Sequence, residues 1–389
     1  MDARRLRSRL FLMIGKDIKP GLYFEVQSIM SIKNIATIVL LVFLAGTGRA
    51  QSSKANLDQW LDDNTKDMGG RSMLVVWKDG KLLYSRSVND MTRKQKMVDK
   101  FIARRQKKEA DFSDYTMSYR QPIASCSKWY SAALVMTFVD EGKINLSDTV
   151  GKYLPVLSQH GKGNITLRQC LSHLTGIKEP PLQESIKDMQ HIGSMNEAMQ
   201  YIADMPMEGA PGTVFHYSNA GLQIAGAVIE KVSGKSFETL FAERIAQPLG
   251  MQNTDFGKGR VALPAGGAYS TPEDYLNFLI MILHKGLFNG ARILSENSVA
   301  EMQVDRIAPD VKIGYSPVSM DNIGYGYGEW VVKPDGKAVT SPGLFGSIPW
   351  VDNDRGYCAF LMTFYIKKRD AEQRFKDLKQ QVDGVVDGR

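Results

Sequence analysis

The 389-residue sequence predicts an α+β fold. One antiparallel sheet, flanked by helices, is formed by strands from both ends of the chain, and a mostly helical lobe is inserted between them. Three observations carry this. Near the start, Met73–Trp77 and Leu82–Tyr84 are apolar runs around Asp79-Gly80, the pattern of a β-hairpin. In the last hundred residues Gly328–Val332, Phe345–Val351 and Tyr357–Phe364 read as strands, with turns at Pro334-Asp335-Gly336 and Asn353-Asp354-Arg355-Gly356. Between the two strand regions, helix caps and glycine stops follow one another. A hydrophobic content of 43% and a charged content of 23% are those of a globular protein.

The chain opens with a basic segment. Residues 1–50 hold eight Lys/Arg against three acids, so they supply +5 of the whole chain's net +7. The remainder is nearly neutral and gives no case for nucleic acid. Lys33, the apolar run Ile35–Gly46 and Gly48-Arg49-Ala50 have the order of a secretory signal: charge, short apolar core, small-residue cleavage site. The run is well short of the ~20 residues that span a bilayer. We therefore expect a signal peptide over 30–50, residues 1–29 as an extension or mis-assigned start, and a periplasmic or secreted protein with no stable membrane span after cleavage. Three cysteines, Cys126, Cys170 and Cys358, do not make a disulfide framework.

Residues 51–389 are expected to form one domain, with a sheet lobe over about 55–124 and 262–389 and a helical lobe over about 125–261. Leu57, Trp60 and Leu61 suggest an amphipathic helix before the hairpin. Residues 91–120 are polar and basic, a surface insertion with a solvated face. Tyr130–Glu141 is apolar on nearly every side and stops at Gly142, the mark of a buried helix. Thr166 with Gln169 is a capping box for a helix over Leu167–Leu174. Residues 177–195, with Pro180-Pro181, read as a long loop. Helices are expected over Asn219–Val232, stopped by Gly234, and over Phe237–Ala246. Thr271-Pro272-Glu273-Asp274 starts another, by its cap, its early proline and its acids. Ala371, Phe375, Leu378 and Val382 stripe a final amphipathic helix.

Several chemistries can be set aside. The five histidines lack metal-ligand spacing, so no metal is expected. Ser233-Gly234-Lys235-Ser236 lacks the earlier glycine of a phosphate loop. Gly324–Gly328 lacks the strand-before, helix-after setting of a dinucleotide fingerprint. No G-x-S-x-G elbow is present, and nothing calls for a cofactor.

Ser125-x-x-Lys128 is the chain's only S-x-x-K, and it opens the buried helix. Positions i and i+3 share a helix face, so the ammonium can reach the hydroxyl. A helix N-terminus favours negative charge at the serine, and burial lowers a lysine pKa toward that of a usable base. The structural reading of the same residues is a cap serine and a paired lysine. Cys126 and Ser127 lie on other helix faces and are discounted as nucleophiles.

The second constellation is Pro211-Gly212, then Tyr217-x-Asn219. With Ser125-x-x-Lys128 it resembles the serine β-lactamases of class C and the penicillin-recognising hydrolases, which include D-Ala-D-Ala carboxypeptidases and esterases. Asp140–Lys143, Leu171–Gly176 and Ala265–Thr271 match in order, over roughly residues 57–365. The resemblance implies that Ser125 forms an acyl-enzyme and that Lys128 and Tyr217 share the proton transfers. It implies that Asn219 holds substrate or the lysine. Ser341-Pro342-Gly343 would be the third motif, with an oxyanion hole made by the N–H groups of Ser125 and Leu344. The usual Lys or His of that motif is replaced by Ser341, which removes a cation for anionic substrates and argues against strong β-lactamase activity. The partner expected is a small-molecule or peptide acyl substrate. A non-catalytic binding or sensor module on the same fold is the alternative.

Overall fold

The computed structural model describes residues 52–388 apart from 106, 108, 190, 258, 334–336 and 366–370. The expected signal peptide, the extension before it and the turn at 334–336 lie outside the described residues. Helix α1 covers residues 52–65. The hairpin follows as β1 (Arg71–Lys78) and β2 (Lys81–Asn89), with Asp79 and Gly80 both at positive φ in its turn. Helix α2 (Arg93–Arg105) forms inside the basic insertion and buries none of its residues. After β3 (Gln121–Pro122), a 3-10 turn over Ala124–Cys126 leads into α3 (Ser127–Asp140), in which every residue from Ser127 to Phe138 is buried.

The middle of the chain is helical. It contains α4 (Pro155–Gln159), α5 (Leu167–Leu171), α6 (Leu182–Met189) and α7 (Met195–Asp204). Thr166 and Gln169 make both bonds of the capping box, but α5 ends at Leu171, three residues before the expected end. The loop expected over 177–195 is corrected by α6. Pro180-Pro181 precedes the first turn of that helix, where a missing N–H costs nothing, and Pro181 accepts from Glu184 N. Strand β4 (Val214–His216) precedes α8 (Ala220–Ser233), which ends on Gly234 at φ 71°. A Cβ on Gly221 would lie 2.3 Å from the Cys170 carbonyl oxygen, so glycine is what lets α8 touch α5. Helix α9 (Phe237–Phe241) runs on into a π-turn over Ala242–Ala246.

After β5 (Tyr269–Ser270), Thr271 caps α10 (Pro272–Leu283) by accepting from Asp274 N. A small hairpin, β6 (Leu287–Phe288) and β7 (Ala291–Arg292), is followed by α11 (Glu296–Met302) and β8 (Lys312–Tyr315). The remaining strands are β9 (Ile323–Tyr325), β10 (Trp330–Val332), β11 (Ala338–Thr340), β12 (Ile348–Asp352) and β13 (Tyr357–Thr363), before α12 (Ala371–Asp387).

The main sheet has seven strands in the order β2-β1-β13-β12-β11-β10-β9. All neighbours are antiparallel, and β1 from the start of the chain pairs with β13 from its end. Alternation along β1 feeds two cores. Met73 and Val75 join the larger core that holds α3, α8 and α10. Leu74 and Val76 face a second core with Leu57 and Leu61 of α1 and Leu378 and Val382 of α12.

Candidate active site

Ser125 sits in the 3-10 turn at the entrance to α3. Ala124 before it is left-handed at φ 47°, a conformation that a residue with a Cβ adopts at a cost and that occurs at functional turns. The rival nucleophiles turn away. Cys126 is fully buried with Sγ toward the Ser347 carbonyl at 3.5 Å. Ser127 donates to Ala124 O at 2.6 Å and accepts from Ala268 N at 3.0 Å.

Lys128 lies one turn on and is 1% exposed. Its Nζ has three neighbours: Ser125 Oγ at 3.3 Å, Asn219 Oδ1 at 3.2 Å and Ala265 O at 2.8 Å. Two of these oxygens can only accept. A neutral amine has two N–H donors and one lone pair, so satisfying Asn219 and Ala265 leaves the lone pair facing the serine hydroxyl. Burial pushes the Lys128 pKa down to about 7, against the charge of Glu179, which raises it. The site thus keeps its lysine near the balance between amine and ammonium at neutral pH.

Tyr217 closes the other side. The Lys128 ammonium nitrogen is 4.9 Å from its ring centroid, and Trp330 stacks on the ring at 5.2 Å. Burial drives the phenol pKa well up, opposed by a hydrogen bond with Ser125. Tyr217 is therefore a phenol at neutral pH. His173 supports the ring from behind, with centroids 4.5 Å apart. Its Nδ1 accepts from Ser218 N at 3.3 Å, so Nε2 carries the proton toward Tyr325 Oη at 3.0 Å. Burial, with the nearby Lys128 charge, holds this imidazole neutral.

Sequence reasoning missed Glu179. Its buried carboxylate accepts from the backbone N–H groups of Asn219 and Ala220, from Asn219 Nδ2 at 3.1 Å and from Ser185 Oγ at 2.6 Å. It caps α8 at the positive end of the helix dipole. It also fixes the Asn219 amide with Nδ2 toward itself, and so turns Oδ1 toward Lys128. The only sequence signal was an acid beside Pro180-Pro181, 40 residues from its partner.

Ser341, Gly343 and Leu344 reach the site by a turn beyond the end of β11. The Ser341 hydroxyl faces the backbone, 3.0 Å from Gly328 O and 3.3 Å from Ser125 O, and ties this turn to Ser125. A Cβ on Gly343 would meet the Ile123 carbonyl oxygen at 2.3 Å, so the approach requires glycine. The Gly343 N–H is engaged by Ser347 O at 2.8 Å, whereas the Leu344 N–H makes no hydrogen bond among the described residues. Gly328 ends the glycine run dismissed as a nucleotide motif. It lies at φ 77° against α3, where a Cβ would be 2.5 Å from Lys128 O.

The sequence matches the Beta-lactamase family over residues 57–374. A curated relative, Protein Rv1367c of Mycobacterium tuberculosis, is 24% identical over 284 residues, 59% of this chain and 71% of the relative. The D-alanyl-D-alanine-carboxypeptidase/endopeptidase AmpH of Escherichia coli is 24% identical over 190 residues, 43% of this chain and 49% of its own length. Among solved structures, a Bacteroides dorei protein described as a beta-lactamase superposes with a TM-score of 0.68 at 26% identity, covering 86% of this chain and 98% of that one. EstCE1, a hydrolase with promiscuous acyltransferase activity, shares the fold with a TM-score of 0.65 at 19% identity, over 85% of this chain and 98% of its own. With a family match over most of its length and the sheet and helices of that fold, the chain belongs to the β-lactamase family of serine hydrolases.

Proposed function

We propose that the protein hydrolyses an ester, amide or peptide through an acyl-enzyme on Ser125. The observation that carries this reading is the buried Lys128 amine, held by two obligate acceptors with its remaining valence toward Ser125 Oγ at 3.3 Å. Neutral Lys128 takes the hydroxyl proton as Oγ attacks the acyl carbonyl. The carbonyl oxygen becomes an oxyanion between the N–H groups of Ser125 and Leu344, an arrangement typically contributing ~10²–10³ in rate. The C–O or C–N bond then breaks, and the leaving group takes a proton passed from the lysine through the Tyr217 phenol. Water repeats the sequence on the ester of Ser125 and releases the acid.

Ser341 in place of a cation favours neutral acyl substrates over β-lactams. Losing one charge-assisted hydrogen bond weakens an anionic substrate by ~1.5–3 kcal/mol. The patterning of residues 30–50 supports export to the periplasm or beyond, checked by N-terminal sequencing of the mature chain after Ala50. A fluorophosphonate probe, p-nitrophenyl esters and a chromogenic cephalosporin, each run beside Ser125→Ala, test the chemistry. We expect Ser125-dependent labelling and ester turnover with weak cephalosporin turnover. Absence of any Ser125-dependent reaction would leave the fold as a binding or sensor module.

A further inference from the structure

We propose that helix α2 is a docking surface for an anionic phospholipid bilayer. The helix is RKQKMVDKFIARR, and none of its residues is buried. Its outer face is organised. Met97, Val98 and Phe101 are 64%, 48% and 57% exposed, and at helical spacing they form one short ridge. Lys94 and Arg105 lie in line with this ridge at its two ends, and Arg93, Lys96, Lys100 and Arg104 lie along one edge of it, all exposed. None of the six has a carboxylate partner among the described residues.

The inner face is different. Asp99, the helix's only acid, points to Arg71 at 3.8 Å, and Gln95 donates to Lys66 O at 2.7 Å. A helix built only for solvation would interleave acids with its bases at i,i+4. Here the single acid holds the helix to the domain and the cations are left unopposed. An apolar ridge with cations at both ends and along one edge matches a plane with anionic headgroups and an apolar interior. Aromatic and Met side chains enter the acyl boundary while lysine and arginine stay with the phosphates.

The position gives the contact a direction. Asn89 at the end of β2 faces Arg71 at the start of β1, and the next β1 residue, Ser72, pairs with Thr363. Gln121 Nε2 donates to that same Thr363 carbonyl at 2.8 Å, four residues before Ser125. Helix α2 is thus inserted at the end of the sheet that leads into the nucleophile turn, so docking brings that end of the protein to the bilayer.

The test uses the full chain with Phe101→Trp and vesicles whose acyl chains carry bromine quenchers. Phosphatidylglycerol-containing vesicles should quench the added tryptophan beyond the wild-type background, and pure phosphatidylcholine vesicles should not. Combining Lys94→Glu, Arg104→Glu and Arg105→Glu should weaken vesicle affinity more than about tenfold and leave the unfolding midpoint and Ser125 labelling unchanged. Since the readout is local to position 101, binding by other parts of the chain does not mimic it. No added quenching with anionic vesicles, or equal quenching in the charge-reversed chain, overturns the proposal. So does an emission shift with soluble polyglutamate when vesicles give no quenching, which would assign the face to a soluble polyanion.

Discussion

The pH dependence of acylation is the sharpest consequence of the Lys128 environment. An ordinary lysine is neutral in about 3 molecules in 10⁴ at pH 7. With its pKa pushed down to about 7, Lys128 is neutral in half of them, a gain of about 10³ in available base. With a neutral p-nitrophenyl ester, kcat/KM should climb tenfold per pH unit below this value and level off above it, after subtraction of the Ser125→Ala background. Lys128→Met should lower the rate by about 10²–10⁴ and abolish the limb. Stability carries the same signature. Between about pH 7 and 10.5 the unfolded chain binds a proton that the folded chain does not, so wild-type stability should rise with pH through that window. Relative to Lys128→Met the rise should be roughly 5 kcal/mol in denaturant titrations. A flat profile from pH 5 to 9, or a limb centred above pH 9, would refute the assignment of Lys128 as the base.

Other substitutions probe its supports. Glu179→Gln removes a charge that raises the Lys128 pKa, so the acid limb should move to lower pH, while the released Asn219 amide lowers kcat about tenfold. A pH–rate profile reads both effects. Gly328→Ala places a Cβ 2.5 Å from Lys128 O at a positive φ and should cost about 2 kcal/mol or more of stability by thermal unfolding, with loss of labelling at Ser125. Ser341→Ala should cost about 1 kcal/mol by loosening the tie to Gly328 and Ser125, and should leave the ratio of ester to cephalosporin turnover unchanged.

Much of this was legible where the physics is local. That Lys128 would reach Ser125 needed only helical spacing and a helix apolar all round, and α3 is buried from Ser127 to Phe138. The caps at Thr166 and Thr271 are four-residue patterns and appear as written. Strands β4, β9 and β11 are three residues each, too short for alternation to show. Helix α6 was hidden because prolines punctuate loops and helix starts alike. Glu179 and the Ala265 carbonyl were beyond reach, since their roles exist only across long sequence separations and one of them is a backbone group. The Ser341 hydroxyl shows a subtler limit: its place in a motif was readable, but the backbone partners that occupy it were not.

The pairing of β1 with β13 has a temporal meaning. The turn at Ser125 is braced by Gln121 on Thr363 and by Ser341 on Ser125, contacts spanning 242 and 216 residues. A ribosome that has made the first two-thirds of the chain has written Ser125, Lys128, Tyr217 and Asn219, yet the ties that hold Ser125 in place still await its last strands. Closing such long-range contacts is slow and comes late in folding. On the proposed mechanism, Ser125 is fixed in place only once β13 has paired with β1, so labelling of Ser125 should appear only after the sheet is complete.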